Sequence, residues 1–164
     1  MVKNLGADEV FDHNDPECGA KIRKHTNNKL FYAWDCYSEG PSPKICCDAL
    51  SDGPAPGGKR PYWGILQRAT PTRDDVDVVL TVGYTIVGED FTIRGNKIPA
   101  KPQDFEFGRK WWPVAEKLLF EGKVKPHRVE VRPNGLDGIL SGLDDLKNGK
   151  VSGKKLVYRI VDAE

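Results

Sequence analysis

The sequence predicts an α/β fold built on a mostly parallel sheet, and three observations carry that reading. Short apolar stretches alternate with helical ones through the first half of the chain, the pattern of βα units that feed a parallel sheet. Leu30 to Tyr37 is rich in aromatics and almost continuously apolar, as expected of a strand covered on both faces. Leu136, Ile139, Leu140, Leu143 and Leu146 recur at the spacing of one helix face.

In chain order, Leu5-Gly6-Ala7 reads as a helix end, with Gly6 at the C′ position of a helix whose body precedes residue 1. Glu9 to His13 is the first expected strand. Asp15 as N-cap and Pro16 at the first helical position open a helix through about Thr26, which Asn27-Asn28 ends. After the aromatic strand, Ser42 to Leu50 forms a helix with Ile45, Cys46, Ala49 and Leu50 on one stripe. Gly53-Pro54-Ala55-Pro56-Gly57-Gly58 breaks the chain before a strand from Lys59 to Leu66.

Val76 to Val87 is a further strand-like run, and Gly88 to Pro102 is a connection without periodicity. Loops of that length often border sites. A helix from Asp104 to Glu121 carries Phe105, Trp112, Ala115, Leu118 and Leu119 near helical spacing, and Pro113 predicts a break near Trp112. Trp111 and Trp112 read as packing residues. Val129-Glu130-Val131 is a short strand, Asn134 caps the leucine-striped helix that ends at Gly149, and Lys154 to Val161 is a closing strand with Leu156, Tyr158 and Ile160 on one face.

Composition narrows the function classes. The 164 residues carry 25 basic and 24 acidic side chains, a net charge of +1 with the charges dispersed, so nothing draws the chain to nucleic acid or to a membrane surface. No long apolar run and no secretory signal is present, which predicts a cytoplasmic location. Cys18, Cys36, Cys46 and Cys47 include no CxxC pair and no histidine at metal-ligand spacing, so neither a metal nor a disulfide scaffold is expected.

Four stretches in order resemble one superfamily. Leu5-Gly6-Ala7-Asp8-Glu9-Val10-Phe11-Asp12 is similar to the junction before the third strand of a nucleotide-binding domain, and Trp34-Asp35-Cys36 to the end of the fourth. Val82-Gly83-Tyr84-Thr85-Ile86-Val87-Gly88-Glu89-Asp90-Phe91 and the ending Gly149-Lys150-Val151-Ser152-Gly153-Lys154-Lys155-Leu156-Val157-Tyr158 are sharper. Together they resemble the zinc-independent medium-chain dehydrogenase/reductases, in particular the fungal trans-acting enoyl reductases of the lovastatin-pathway type, and only their C-terminal half.

That resemblance implies a partial Rossmann-type, doubly wound nucleotide-binding domain over residues 1–124 that lacks its first βαβ unit, and over 125–164 a C-terminal segment returning to a GroES-like catalytic domain. It implies NADPH as cofactor, bound by His13, Ile65, Leu66, Val151 and Ser152, and substrate contact at Gly83, Tyr84, Thr85, Ile86 and Val87. Ligands in open α/β sheets bind outside the carboxyl ends of the strands, where most of these positions fall. Family members carry a tyrosine where this chain has His13. On residue type alone, His13 reads as a surface histidine at a strand end, Tyr84 as a core residue and Ser152-Gly153 as a turn.

The implied reaction is hydride transfer from NADPH to the β-carbon of an α,β-unsaturated polyketide thioester on a polyketide synthase acyl carrier domain, with protonation at the α-carbon. No metal and no catalytic residue are named. The glycine-rich phosphate loop of the family is absent, and Gly53 to Gly58 does not replace it. The strand order 3-2-1-4-5-6 places two absent strands between the third and fourth, so unpaired edges and self-association are expected, and the chain alone is expected to be weak or inactive without a separate N-terminal half. The alternative reading is a non-catalytic remnant or interaction module.

Overall fold

The structure, a computed structural model, describes residues 1–160; Val161, the end of the expected closing strand, lies outside the described residues. The chain divides into two compact units, Met1–Thr85 and Ile86–Glu164. Both are α/β, and each contains a parallel sheet.

The first unit is a three-stranded parallel sheet in the order β1 (Tyr32–Asp35), β2 (Tyr62–Ile65), β3 (Asp77–Leu80), with helices α1 (Cys18–His25) and α2 (Ser42–Ala49). Alternation along a strand sends Ala33, Trp63, Ile65 and Val78 to one face. There they meet Cys47 and Leu50 at the end of α2, and the buried cluster of Cys47, Leu50, Trp63, Ile65 and Val76 is the core of this unit. Arg73 closes the carboxyl end of α2: its Nη1 donates to the carbonyls of Cys47 and Leu50, both at 2.9 Å, and its Nη2 to that of Ser51 at 2.8 Å. Those carbonyls lack helical partners and sit beside buried side chains, so a guanidinium fork suits the position.

The other face of the sheet is bare. Tyr32 is 70% exposed and Trp34 54%, so the aromatic strand is not covered on both faces as its composition suggests. The apolar run promised a second layer, but no element of this unit lies opposite. Trp34 lies across Gly64, where a Cβ would come within 2.5 Å of the indole ring.

Other expectations change as well. Glu9 to His13 forms no strand, since an extended segment gains no ladder alone and none of the described strands pairs with it. The preceding helix is a single 3-10 turn, Val2–Leu5, ended as expected by Gly6 in the left-handed region at φ 102°. Helix α1 starts after Glu17 rather than at Pro16, because Asp15 spends its carboxylate on the Glu17 amide in a turn ahead of the helix. Asn27 and Asn28, both left-handed, do end it.

The second unit begins with a hairpin, β4 (Phe91–Ile93) and β5 (Asn96–Ile98). Arg94 and Gly95 both have positive φ at its tip, the two-residue turn whose twist suits paired strands. The connection read as irregular therefore contains regular structure. Helix α3 (Pro102–Phe120) runs through Pro113 without the expected break. Proline removes one backbone donor but does not force the chain apart, and Pro113 is exposed. Trp111 and Trp112 are exposed rather than packed, Trp111 stacking on Phe107 at 6.3 Å.

Strands β6 (Val129–Arg132) and β7 (Lys155–Tyr158) pair in parallel, joined by helix α4 (Gly135–Lys147). Asn134 occupies the N-cap position of α4 and Gly149 follows its end in the left-handed region, as expected. The leucine stripe does not cover the sheet. Gly138 and Gly142 are the buried positions of α4, and an added Cβ on either would strike the Tyr158 ring or hydroxyl, while Leu136, Leu140, Leu143 and Leu146 are exposed. Arg132 ties β6 to the helix, reaching Asp145 at 2.9 Å and Glu130 at 2.5 Å. Among the described residues, no helix is long and apolar enough to cross a membrane.

Candidate functional site

Parallel pairing brings the carboxyl ends of β1, β2 and β3 to one edge. Asp35, Ile65 and Leu80 stand side by side there in register. Ligands in open parallel sheets bind beyond such an edge, and the segment after each strand decides what the edge can do.

After β1 the chain turns back on a buried carboxylate. Asp35, 5% exposed, accepts from the Tyr37 amide at 3.0 Å and the Ser38 amide at 2.7 Å through Oδ1, and from the Ser42 hydroxyl at 2.9 Å through Oδ2. An aspartate that hydrogen-bonds amides two and three residues ahead fixes a tight turn. Ser38, 4% exposed, is held at φ 56°. Its hydroxyl donates to the Asp35 carbonyl at 3.0 Å and accepts from the Leu66 amide at 3.3 Å. Gln67 spans the same turn, donating to the Tyr37 carbonyl at 3.0 Å and to Glu39 at 2.6 Å.

After β2, Ile65 is buried and Leu66 is exposed. After β3, the Thr81 amide donates to the Ile65 carbonyl at 2.8 Å, and a 3-10 helix, Gly83–Val87, comes directly afterwards. That helix replaces the end of the strand-like run expected through Val87. Within it Thr85 is buried and donates to the Val82 carbonyl at 2.8 Å. Tyr84 is exposed, which sets aside its reading as a core residue.

Of the residues singled out in the sequence, Ile65, Leu66, Gly83, Tyr84 and Thr85 therefore stand on or just beyond one sheet edge. His13 lies in an exposed turn organised by Asp12, whose carboxylate accepts from the Asn14 amide at 2.9 Å; with no strand before it, His13 is not at a strand end. Ile86, Val87, Val151 and Ser152 belong to the second unit. Asp35, Ser38 and Gln67 were missed, although an aspartate closing an apolar run with a serine three residues on is a legible turn signal.

Burial, reinforced by the Asp35 carboxylate, pushes the Cys46 thiol up to about 12, so it stays protonated near neutrality. A shallow groove of about 600 Å³ lies at the opposite edge, where the strands begin, lined by Arg23, Lys24, Asn27, Asn28, Asp48 and Asp52. Its charges are of both signs and it is remote from the strand ends.

No family model matches the chain. A trans-enoyl reductase of Alternaria alternata is 48% identical over 160 residues, a match that takes in 98% of this chain and 44% of that protein. By sequence, nearly the whole chain is similar to part of a fungal trans-enoyl reductase. A second, from Aspergillus sclerotiorum, is 38% identical over 164 residues, with the same 98% and 44% coverage. A dual trans-enoyl reductase/FAD-dependent monooxygenase of Aspergillus terreus is 38% identical over 150 residues, covering 91% of this chain and 21% of that protein. The chain thus spans less than half the length of these trans-enoyl reductases.

Proposed function

We propose that the chain contributes one wall of the cofactor and substrate cleft in an NADPH-dependent trans-enoyl reductase. That enzyme reduces α,β-unsaturated polyketide thioesters carried on the acyl carrier domain of a polyketide synthase, in the cytoplasm of a fungus making secondary metabolites. The observation that carries the reading is the gathering of Ile65, Leu66 and Gly83 to Thr85 at the carboxyl edge of a parallel sheet, in a chain similar to named trans-enoyl reductases. In this reading residues 1–124 are the partial Rossmann-type domain and 125–164 the segment that returns to the catalytic domain.

The residues at this edge fit a nicotinamide in kind. Leu66 offers an exposed apolar side chain next to backbone polar groups, the mixture that an uncharged ring with an amide substituent needs. The family resemblance adds His13, Val151 and Ser152 as proposed cofactor contacts and Gly83 to Val87 as proposed substrate contacts. Bound there, NADPH supplies the hydride that reduces the acyl double bond. The chain's part is to orient the two reactants and exclude water. A neutral Cys46 thiol agrees with a reaction that runs on positioning.

A second reading is an interaction module that no longer binds cofactor alone. The bare aromatic face of the β1–β2–β3 sheet and the open leucine face of α4 favour it. An NADPH fluorescence titration of the chain, with NADH as control, separates the two. Saturable, NADPH-selective binding is expected from the reductase reading, and no saturation up to millimolar cofactor would leave the module.

A further inference from the structure

The ladder between β1 and β2 ends in an unusual way. The Tyr62 amide donates to the Phe31 carbonyl at 2.8 Å, and the two-residue repeat of a parallel ladder would bring the Leu66 amide onto the Asp35 carbonyl. Instead, the Ser38 hydroxyl stands between them, accepting from Leu66 at 3.3 Å and donating to Asp35 at 3.0 Å. On the other side of β2 the ladder continues directly, Thr81 amide to Ile65 carbonyl at 2.8 Å. One side of the strand end is closed by a direct bond, and the other is held open by the width of one oxygen atom.

Two features make this a built device. Ser38 is almost fully buried and left-handed at φ 56°, a conformation that glycine adopts freely and other residues only at a cost. Its hydroxyl, the group glycine lacks, is used as both donor and acceptor. The turn itself is secured independently, because the Asp35 carboxylate holds the Tyr37 and Ser38 amides whatever side chain residue 38 carries.

We infer that Ser38 is a positioning residue for the cofactor site: its hydroxyl, inserted as a rung between β1 and β2, holds the ladder open at the carboxyl edge and fixes Leu66 against the ligand. This rests on the reading that Ile65 and Leu66 meet NADPH.

The test uses the 164-residue chain with Ser38→Gly and Ser38→Ala, and two readouts. Amide hydrogen exchange followed by NMR should accelerate about tenfold or more at Leu66 in both variants, the loss expected for one hydrogen bond, while Trp63 and Gly64 inside the ladder stay protected and report that the unit is folded. NADPH titration should weaken by about tenfold in both variants. Unchanged exchange at Leu66 means the rung closes directly and overturns the inference. Accelerated exchange with unaltered NADPH affinity makes the bond purely structural and also overturns it. Glycine binding like wild type while alanine binds weakly would assign the effect to backbone conformation, against the hydroxyl. Failure of the unsubstituted chain to bind NADPH at all overturns the cofactor reading and this role together, whereas loss of the role alone leaves wild-type binding intact.

Discussion

Helices α2 and α4 both carry apolar residues at helical spacing and both join parallel strands, yet they meet their sheets with opposite kinds of surface. Helix α2 turns Cys47 and the following Leu50 into a cluster with Trp63 and Ile65 and leaves charged Lys44 and Asp48 outside, paired with each other. Helix α4 lays Gly138 and Gly142 against Tyr158 and points its leucines outward, Leu140 being 75% exposed. Periodicity identifies an apolar face, but burial also needs something opposite it. The small face of α4 wins the sheet because two glycines four residues apart allow close approach, and the leucine face is left for whatever else the protein meets.

The sharpest way to break the comparison is to remove the buried residue that α2 packs on. Trp63→Ala should cost about 3–5 kcal/mol in urea unfolding followed by circular dichroism. If it proves as mild as a change on the open face of α4, the contrast between the two helices collapses. Gly142→Ala tests the glycine face and should cost about 1–3 kcal/mol by overpacking against Tyr158. A neutral result there would mean that α4 is free to shift.

Acid should act next, on the ion pairs that hold β6 and α4. Lys154 and then Arg132 hold the Glu130 carboxyl below its usual 4.5, and Arg132 and then Lys150 hold Asp145 below its usual 3.8. Depressed carboxyls stabilise the fold above their ordinary values and lose that contribution as pH falls through the lowered ones. Unfolding of β6, α4 and β7 should therefore become easier below about pH 4, and Arg132→Met should flatten that dependence. The smallest effect is expected from Leu140→Ser, within about 0.5 kcal/mol of wild type because the side chain is already in water. A large loss would show that the leucine face is covered in solution.

Much of the first unit was legible in the sequence because its signals are local. Asn27-Asn28, Gly6, the βα alternation and the strand ending at Ile65 each depend on a few neighbouring residues. The features that could not be read depend on partners. Glu9 to His13 has strand composition and no strand to pair with, and Tyr32 and Trp34 have core composition without a second layer. The hairpin of β4 and β5 was missed because arginine is an uncommon first residue in such a turn, although Gly95 after alternating Phe91 and Ile93 carried the signal. At the candidate site, Ile65, Leu66 and Gly83 to Thr85 were found through family resemblance, whereas Asp35 and Ser38 were overlooked. Their part is hydrogen bonding between strands far apart in sequence, which a linear reading does not display.

The bare face of the first sheet also gives the molecule an optical label. Trp63 is wholly enclosed and Trp34, over Gly64 on the opposite face, is half in water, so one indole emits from a dry environment and the other is within reach of a collisional quencher. With Trp111 and Trp112, which are exposed as well, replaced by phenylalanine, any molecule that settles over Tyr32 and Trp34 shields the one remaining quenchable indole, and a blue shift in that fraction of the emission reports coverage of that face without any attached dye.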